Sequence, residues 1–163
     1  MRVIALGMAW ALAAAAPAMA EFPADSMTFA TSADVLALIA KAKAAMKPGQ
    51  ANLVQPLLRL APYRALLEYR VAATPANAHI HDAELVYIVQ GSGTVILGGT
   101  LVGANTIGNN IVGTGIAGGT VRRLIAGDVF LLLANTPHWF NQIDGVMVTL
   151  AMHLPPSSEV PRL

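Results

Sequence analysis

The chain has 163 residues and no cysteine, which removes disulfides, thiolate metal ligands and a cysteine nucleophile from its repertoire. Ten Lys and Arg stand against nine Asp and Glu, a formal net charge of +1. That balance leaves no electrostatic footprint for nucleic acid or an anionic lipid surface.

In chain order, residues 1–20 have the pattern of a cleaved signal peptide. Arg2 supplies the positive start, Val3 to Ala16 is an uncharged apolar run, and Pro17 precedes the Ala18-Met19-Ala20 cleavage signal. A membrane anchor fits less well, because the run is short, Ala-rich and closed by small residues. Cleavage predicts a periplasmic or secreted protein without a stable membrane anchor, 143 residues long and carrying equal numbers of acids and bases. That length suits one domain with its own core.

Residues 21–50 form an N-terminal extension. Thr31-Ser32-Ala33-Asp34 followed by Val35, Leu38, Ile39, Ala42, Ala45 and Met46 has the spacing of a capped amphipathic helix that Pro48-Gly49 stops. Lys41, Lys43 and Lys47 complement its C-terminal end. We expect this helix to pack on the outside of the domain built by the rest of the chain.

Residues 51–154 change texture to short alternating or apolar runs punctuated by Gly, Pro and Asn. Predicted strands are Leu53–Leu60, Tyr63–Val71, Ala78–His81, Glu84–Gln90, Thr94–Leu97, Val121–Leu124, Val129–Leu133, Trp139–Asn141 and Val146–His153. Many short strands separated by turn residues predict an all-β sandwich or barrel. The uncharged, glycine-rich segment Gly98–Gly119 is predicted as a hairpin extension with Leu101-Val102 opposite Ile111-Val112, or as a mobile flap. Residues 155–163 are expected to be a C-terminal tail.

Two segments carry chemistry. The first is His79-Ile80-His81-Asp82-Ala83-Glu84, leading to Gly91; the second runs from Gly127-Asp128 to Pro137-His138. Strand residues at i and i+2 share a face, so His79 and His81 are expected to aim two imidazoles at one point. Glu84 and His138 complete a set of three nitrogens and one oxygen suited to a first-row divalent metal. Only Asp82 and Ala83 separate His81 from Glu84, and Asp82 is the alternative carboxylate. With Glu84 inward, Val86 and Ile88 point inward and Tyr87 outward; with His138 inward, Phe140 shares its face. His153, remote from both segments, is expected at the surface or in a local hydrogen bond. Glu68 and Arg70 are expected on a solvated face, the alternative being that Arg70 clamps a substrate carboxylate and Glu68 serves as an acid/base.

Taken together, the two segments resemble the paired motifs of the cupin superfamily: His-x-His, Glu, six residues and Gly91, then Gly127-Asp128, Pro137-His138 and Asn141. The resemblance implies a double-sheet jelly-roll barrel with His79, His81, Glu84 and His138 binding one divalent metal, Fe, Mn, Zn or Ni, in the barrel mouth. It implies a metal-dependent enzyme acting on a small oxygen-bearing molecule, dioxygenase-like first, a lyase or isomerase otherwise. The alternative is a non-catalytic periplasmic protein that binds or senses a small ligand or metal. A homodimer is expected, since exposed strand edges tend to pair.

Overall fold

The computed structural model describes residues 26–156 and residue 158. The predicted signal peptide and most of the predicted tail lie outside the described residues. Among the described residues, no helix is long and apolar enough to cross a membrane.

The one named helix, α1 (Ser32–Ala45), starts where the sequence places it. Thr31 Oγ1 accepts from the Asp34 amide, and the Asp34 carboxylate accepts from the Thr31 amide, so each satisfies a donor the helix leaves free. Ile39 and Ala42 are its buried contacts, with Val35, Leu38 and Met46 beside them.

The strands are β1 (Asn52–Leu60), β2 (Tyr63–Arg70), β3 (Ala76–His79), β4 (Ala83–Leu97), β5 (Thr100–Val102), β6 (Asn105–Ile107), β7 (Asn110–Gly113), β8 (Gly115–Ala117), β9 (Thr120–Ile125), β10 (Val129–Leu132) and β11 (His138–Leu154). Every pairing among them is antiparallel. Two pairs of predicted strands prove to be single long ones, β4 and β11, which pair along their whole length.

These two strands organise the jelly roll. The C-terminal half of β11 lies between β2 and the first half of β4, with β1 and β10 at the edges. The N-terminal end of β11 lies between β3 and the second half of β4, with β7, β6 and β9 beyond. One nine-stranded sheet thereby supplies both layers of the barrel. The register slips between Phe140 and Gln142 and again between Ile143 and Met147, where β11 turns from one layer to the other.

Gly91 and Gly93 stand opposite those irregularities on β4. A Cβ on Gly91 would lie 1.9 Å from the Val146 carbonyl oxygen, and one on Gly93 would lie 2.4 Å from that of Gln142. Gly91 also has φ +81°, which L side chains rarely adopt. The glycine that closes the first motif is thus required by a backbone crossing.

Alternation along the strands separates two apolar clusters. Inside the barrel, Val86, Ile88, Val95, Leu124, Phe140 and Met147 pack together. On the outside, Leu67, Tyr69 and Val148 are buried beneath Ile39 and Ala42 of α1. Full burial of a side chain such as Leu67 contributes about 1.5–3 kcal/mol relative to exposure.

The Gly98–Gly119 segment is ordered into strands, but its pairing differs from the prediction. Leu101 and Val102 pair with Ile116 and Gly115, whereas Ile111 and Val112 pair with Ala78 and Asn77 of β3 and with Thr106 and Asn105 of β6. Residues 110–113 extend the barrel sheet beyond β3, where β3 would otherwise present a bare edge.

Candidate metal centre

The two motif segments and the last strand converge at one end of the lumen. Glu84 is the second residue of β4, and His153 stands directly opposite it on β11, so their side chains share the inward face. His79 closes β3, and His138 opens β11. Glu84 Oε2 is 3.3 Å from His79 Nε2 and 3.6 Å from His138 Nε2. The His79 ring centroid is 5.1 Å from that of His138 and 4.8 Å from that of His153, the latter edge-on. Ligand atoms of His79, Glu84 and His153 all lie within 4.8 Å of one another.

Second partners orient the rings. His138 Nδ1 is 3.1 Å from the Thr136 carbonyl oxygen, which only accepts, so Nδ1 carries the proton and Nε2 faces Glu84 with its lone pair. His79 Nδ1 is 2.6 Å from Asn110 Oδ1, which sets the same orientation. The backbone around His79 is pinned as well. Its carbonyl accepts from the Asn135 amide at 2.7 Å, the Ile80 carbonyl accepts from Asn135 Nδ2, and the Ile80 amide donates to the Asn109 carbonyl. Asn135 holds the left-handed φ of +61° that this loop requires.

Burial opposes the charge on Glu84, yet the histidines around it, His79 first, outweigh that and hold its carboxyl below the usual range. Burial likewise opposes charge on His79, but Glu84 and Asn110 lift it above its ordinary value. For His138 and His153 burial wins, and both are pushed down toward the neutral imidazole that binds metals.

This donor set fits a divalent metal. Glu84 Oε2 is buried and has no hydrogen-bond partner, although two imidazole nitrogens face it. Lone pairs converging on a buried carboxylate oxygen repel unless a proton or a cation lies among them. Three imidazoles and one carboxylate are a set that zinc, iron, manganese and nickel accept.

The predicted residues are not all brought together. His79, Glu84 and His138 converge; His81 does not. β3 ends at His79, so the strand parity that would aim His81 inward has no strand to act through, and His81 is exposed. The third imidazole of the cluster is instead His153, which the sequence reasoning placed outside the site. Its signal was invisible because the slips in β11 reverse the alternation between His138 and His153, fifteen positions apart on one strand. Asp82, the alternative carboxylate, pairs with Arg64 at 3.0 Å and lies 3.4 Å from His153 Nδ1. Asp128 accepts from the Ile125 amide, a local turn bond as its position predicts.

Next to the cluster lies a cavity of about 300 Å³, whose wall includes Glu68, Arg70, Thr74, Asn77, Val112 and Phe140. Glu68 and Arg70 are therefore inside, where the sequence reasoning favoured a solvated face. On β2 they alternate with Leu67 and Tyr69, which fill the helix-covered side. A second cavity of about 240 Å³ touches the same cluster from the side of Arg64, His81 and Asn109.

No protein-family model and no curated protein sequence matches the chain. Solved structures do resemble it. The DMSP lyase DddQ from Ruegeria pomeroyi DSS-3 aligns over 86% of this chain and 72% of its own, with 19% identity and a TM-score of 0.53. KdgF from Halomonas sp. aligns over 71% and 87%, with 17% identity and a TM-score of 0.47. The cupin domain of Schizosaccharomyces pombe Cnp3 aligns over 68% and 65%, with 16% identity and a TM-score of 0.47. At such identities the likeness concerns the fold. The chain shares the fold of DddQ, a jelly-roll barrel with a helix packed outside. Its cluster of histidines and Glu84 fits a metal ion.

Proposed function

We propose that this protein is an exported, homodimeric metal-dependent cupin enzyme that acts on a small oxygen-bearing molecule. His79, Glu84, His138 and His153 would hold one divalent metal, with His153 taking the part the motif gives to His81. One observation carries the proposal: a buried Glu84 oxygen without a hydrogen-bond donor, faced by the Nε2 atoms of His79 and His138. The signal-like residues 1–20 support export.

Bound there, the metal would supply Lewis acidity or, if redox-active, the capacity for dioxygenase-like chemistry. The chain's own residues do the rest. Asn110 and the Thr136 carbonyl fix the two imidazoles. Phe140 and Val112 supply the apolar part of the neighbouring cavity wall, and Val86 and Ile88 pack in the core behind Phe140.

Metal content of the purified chain, measured by mass spectrometry, tests this. The expected result is about one equivalent of a single metal per chain. Its retention in His81→Ala and loss in His153→Ala would assign the third imidazole; the opposite pattern would restore the motif set. A wild-type chain that takes up no metal on reconstitution sinks the enzyme proposal. A loaded chain that turns over no carboxylate or catechol substrate favours a binding or sensing role.

A further inference from the structure

The wall of the 300 Å³ cavity facing the histidines holds a buried guanidinium. Arg70 is 7% exposed, a burial that arginine tolerates only with partners. It has three. One terminal nitrogen donates to Glu68, the other donates to Thr74 Oγ1 at 3.3 Å, and the plane lies 4.0 Å over the Phe140 ring. Glu68 is itself held by Thr149 Oγ1 at 3.1 Å. A buried ion pair contributes little to stability compared with apolar side chains of the same volume. This one lies beside the apolar interior, since Phe140 under the guanidinium packs with Val86, Ile88 and Met147.

The cavity is also short of partners for its polar groups. Arg70 Nε and the side-chain oxygens of Asn52 and Asn77 are buried without a hydrogen bond, and all three residues line it. Its charge follows from the same residues. Arg70 cancels Glu68, and Glu84 leaves one negative charge, which a divalent cation turns into one positive charge.

We propose that this cavity binds a small monoanionic carboxylate whose carboxyl group is received by Arg70 and whose second oxygen, a hydroxyl or carbonyl a few bonds away, reaches the metal centre. The proposal rests on the metal-dependent function above. Arg70 stacks on Phe140, which stands two residues from His138 on one strand face, a separation of about 7 Å. That gap selects a short molecule carrying both groups. A planar guanidinium suits the planar carboxylate, and a single excess charge disfavours a dianionic phosphonate.

The test is calorimetric titration of the zinc-loaded chain with lactate, pyruvate, 3-hydroxybutyrate, lactamide and methylphosphonate, with metal content measured on the same samples. At least one carboxylate is expected to bind ten-fold or more tighter than lactamide, about the weight of one charge-assisted hydrogen bond. The double variant Glu68→Gln/Arg70→Gln, which removes both charges together, is expected to keep its metal and lose that preference. Arg70→Lys is expected to weaken it while metal content stays unchanged. A metal-loaded chain that binds lactamide as tightly as every carboxylate, or methylphosphonate more tightly, overturns the carboxylate site alone. So does a metal-loaded double variant that keeps the preference. A wild-type chain without metal overturns the function and the carboxylate site together.

Discussion

The two faces of β2 and β11 differ as sharply as core and active site do in a larger protein, although they share the same residues' backbones. Outward, Leu67, Tyr69 and Val148 are apolar, buried and closed off by α1. Inward, the half-buried Glu68 and the buried Arg70 and His153 line a cavity, and the buried Thr149 holds Glu68. The strand alternates between holding the barrel together and equipping it. Each face should therefore be damaged independently, except where the backbone itself is shared.

Gly91 is such a shared point. Gly91→Ala places a methyl group against the Val146 carbonyl and forces a left-handed φ on alanine, so both faces should fail together. We expect a loss of about 3 kcal/mol or more in urea unfolding, accompanied by loss of metal binding. Leu67→Ala breaks the outer face alone. It should cost about 2–5 kcal/mol in the same measurement while the folded fraction still takes up its metal. A Leu67→Ala protein that folds stably but loses the metal would refute the separation of faces.

Asn110→Ala attacks the other side of the comparison. It removes the partner of His79 Nδ1 without touching either apolar cluster, and should weaken metal affinity by about 10–100-fold in a chelator competition. The unfolding midpoint of the metal-free protein should barely move. Thr31→Ala, which removes the cap of α1, should cost about 1 kcal/mol and leave metal affinity unchanged.

The smallest effect belongs to neither face. Arg123, with Ser92 and Gln142, holds Asp144 down from 3.8 to about 2. A carboxyl whose folded value is depressed adds stability that is present in full above its unfolded value and lost as the pH falls through its folded one. Wild type should therefore lead Asp144→Asn slightly at pH 5 and lose that lead near pH 2, as urea midpoints would show. Because Asp144 is solvent-exposed, added salt should shrink the difference.

Much of this arrangement is legible in the chain itself. The helix limits, the alternation of Glu84, Val86 and Ile88, and the inward pair His138 and Phe140 follow from local periodicity, which needs no knowledge of partners. His153 and Arg70 were not legible, because their faces depend on register: two slips in β11 invert one side of the strand, and the helix decides which side of β2 is outside. His81 lies outside the cluster for the opposite reason. Its spacing from His79 has meaning only inside a strand, and the strand stops one residue after Ala78. The pairing of Ile111 with β3 was hidden too, since glycine-rich strands leave register weakly specified.

The pairing of β4 with β11 along their whole length also orders events in time. His79 and Glu84 emerge early in synthesis, but His138 and His153 both belong to β11, the last named strand to leave the ribosome. Contacts that distant in sequence form late, after the cost of closing a long loop has been met. Until β11 slots between β2 and β4, the chain offers a cation only half of its cradle, so uptake of metal would signal that the barrel has closed.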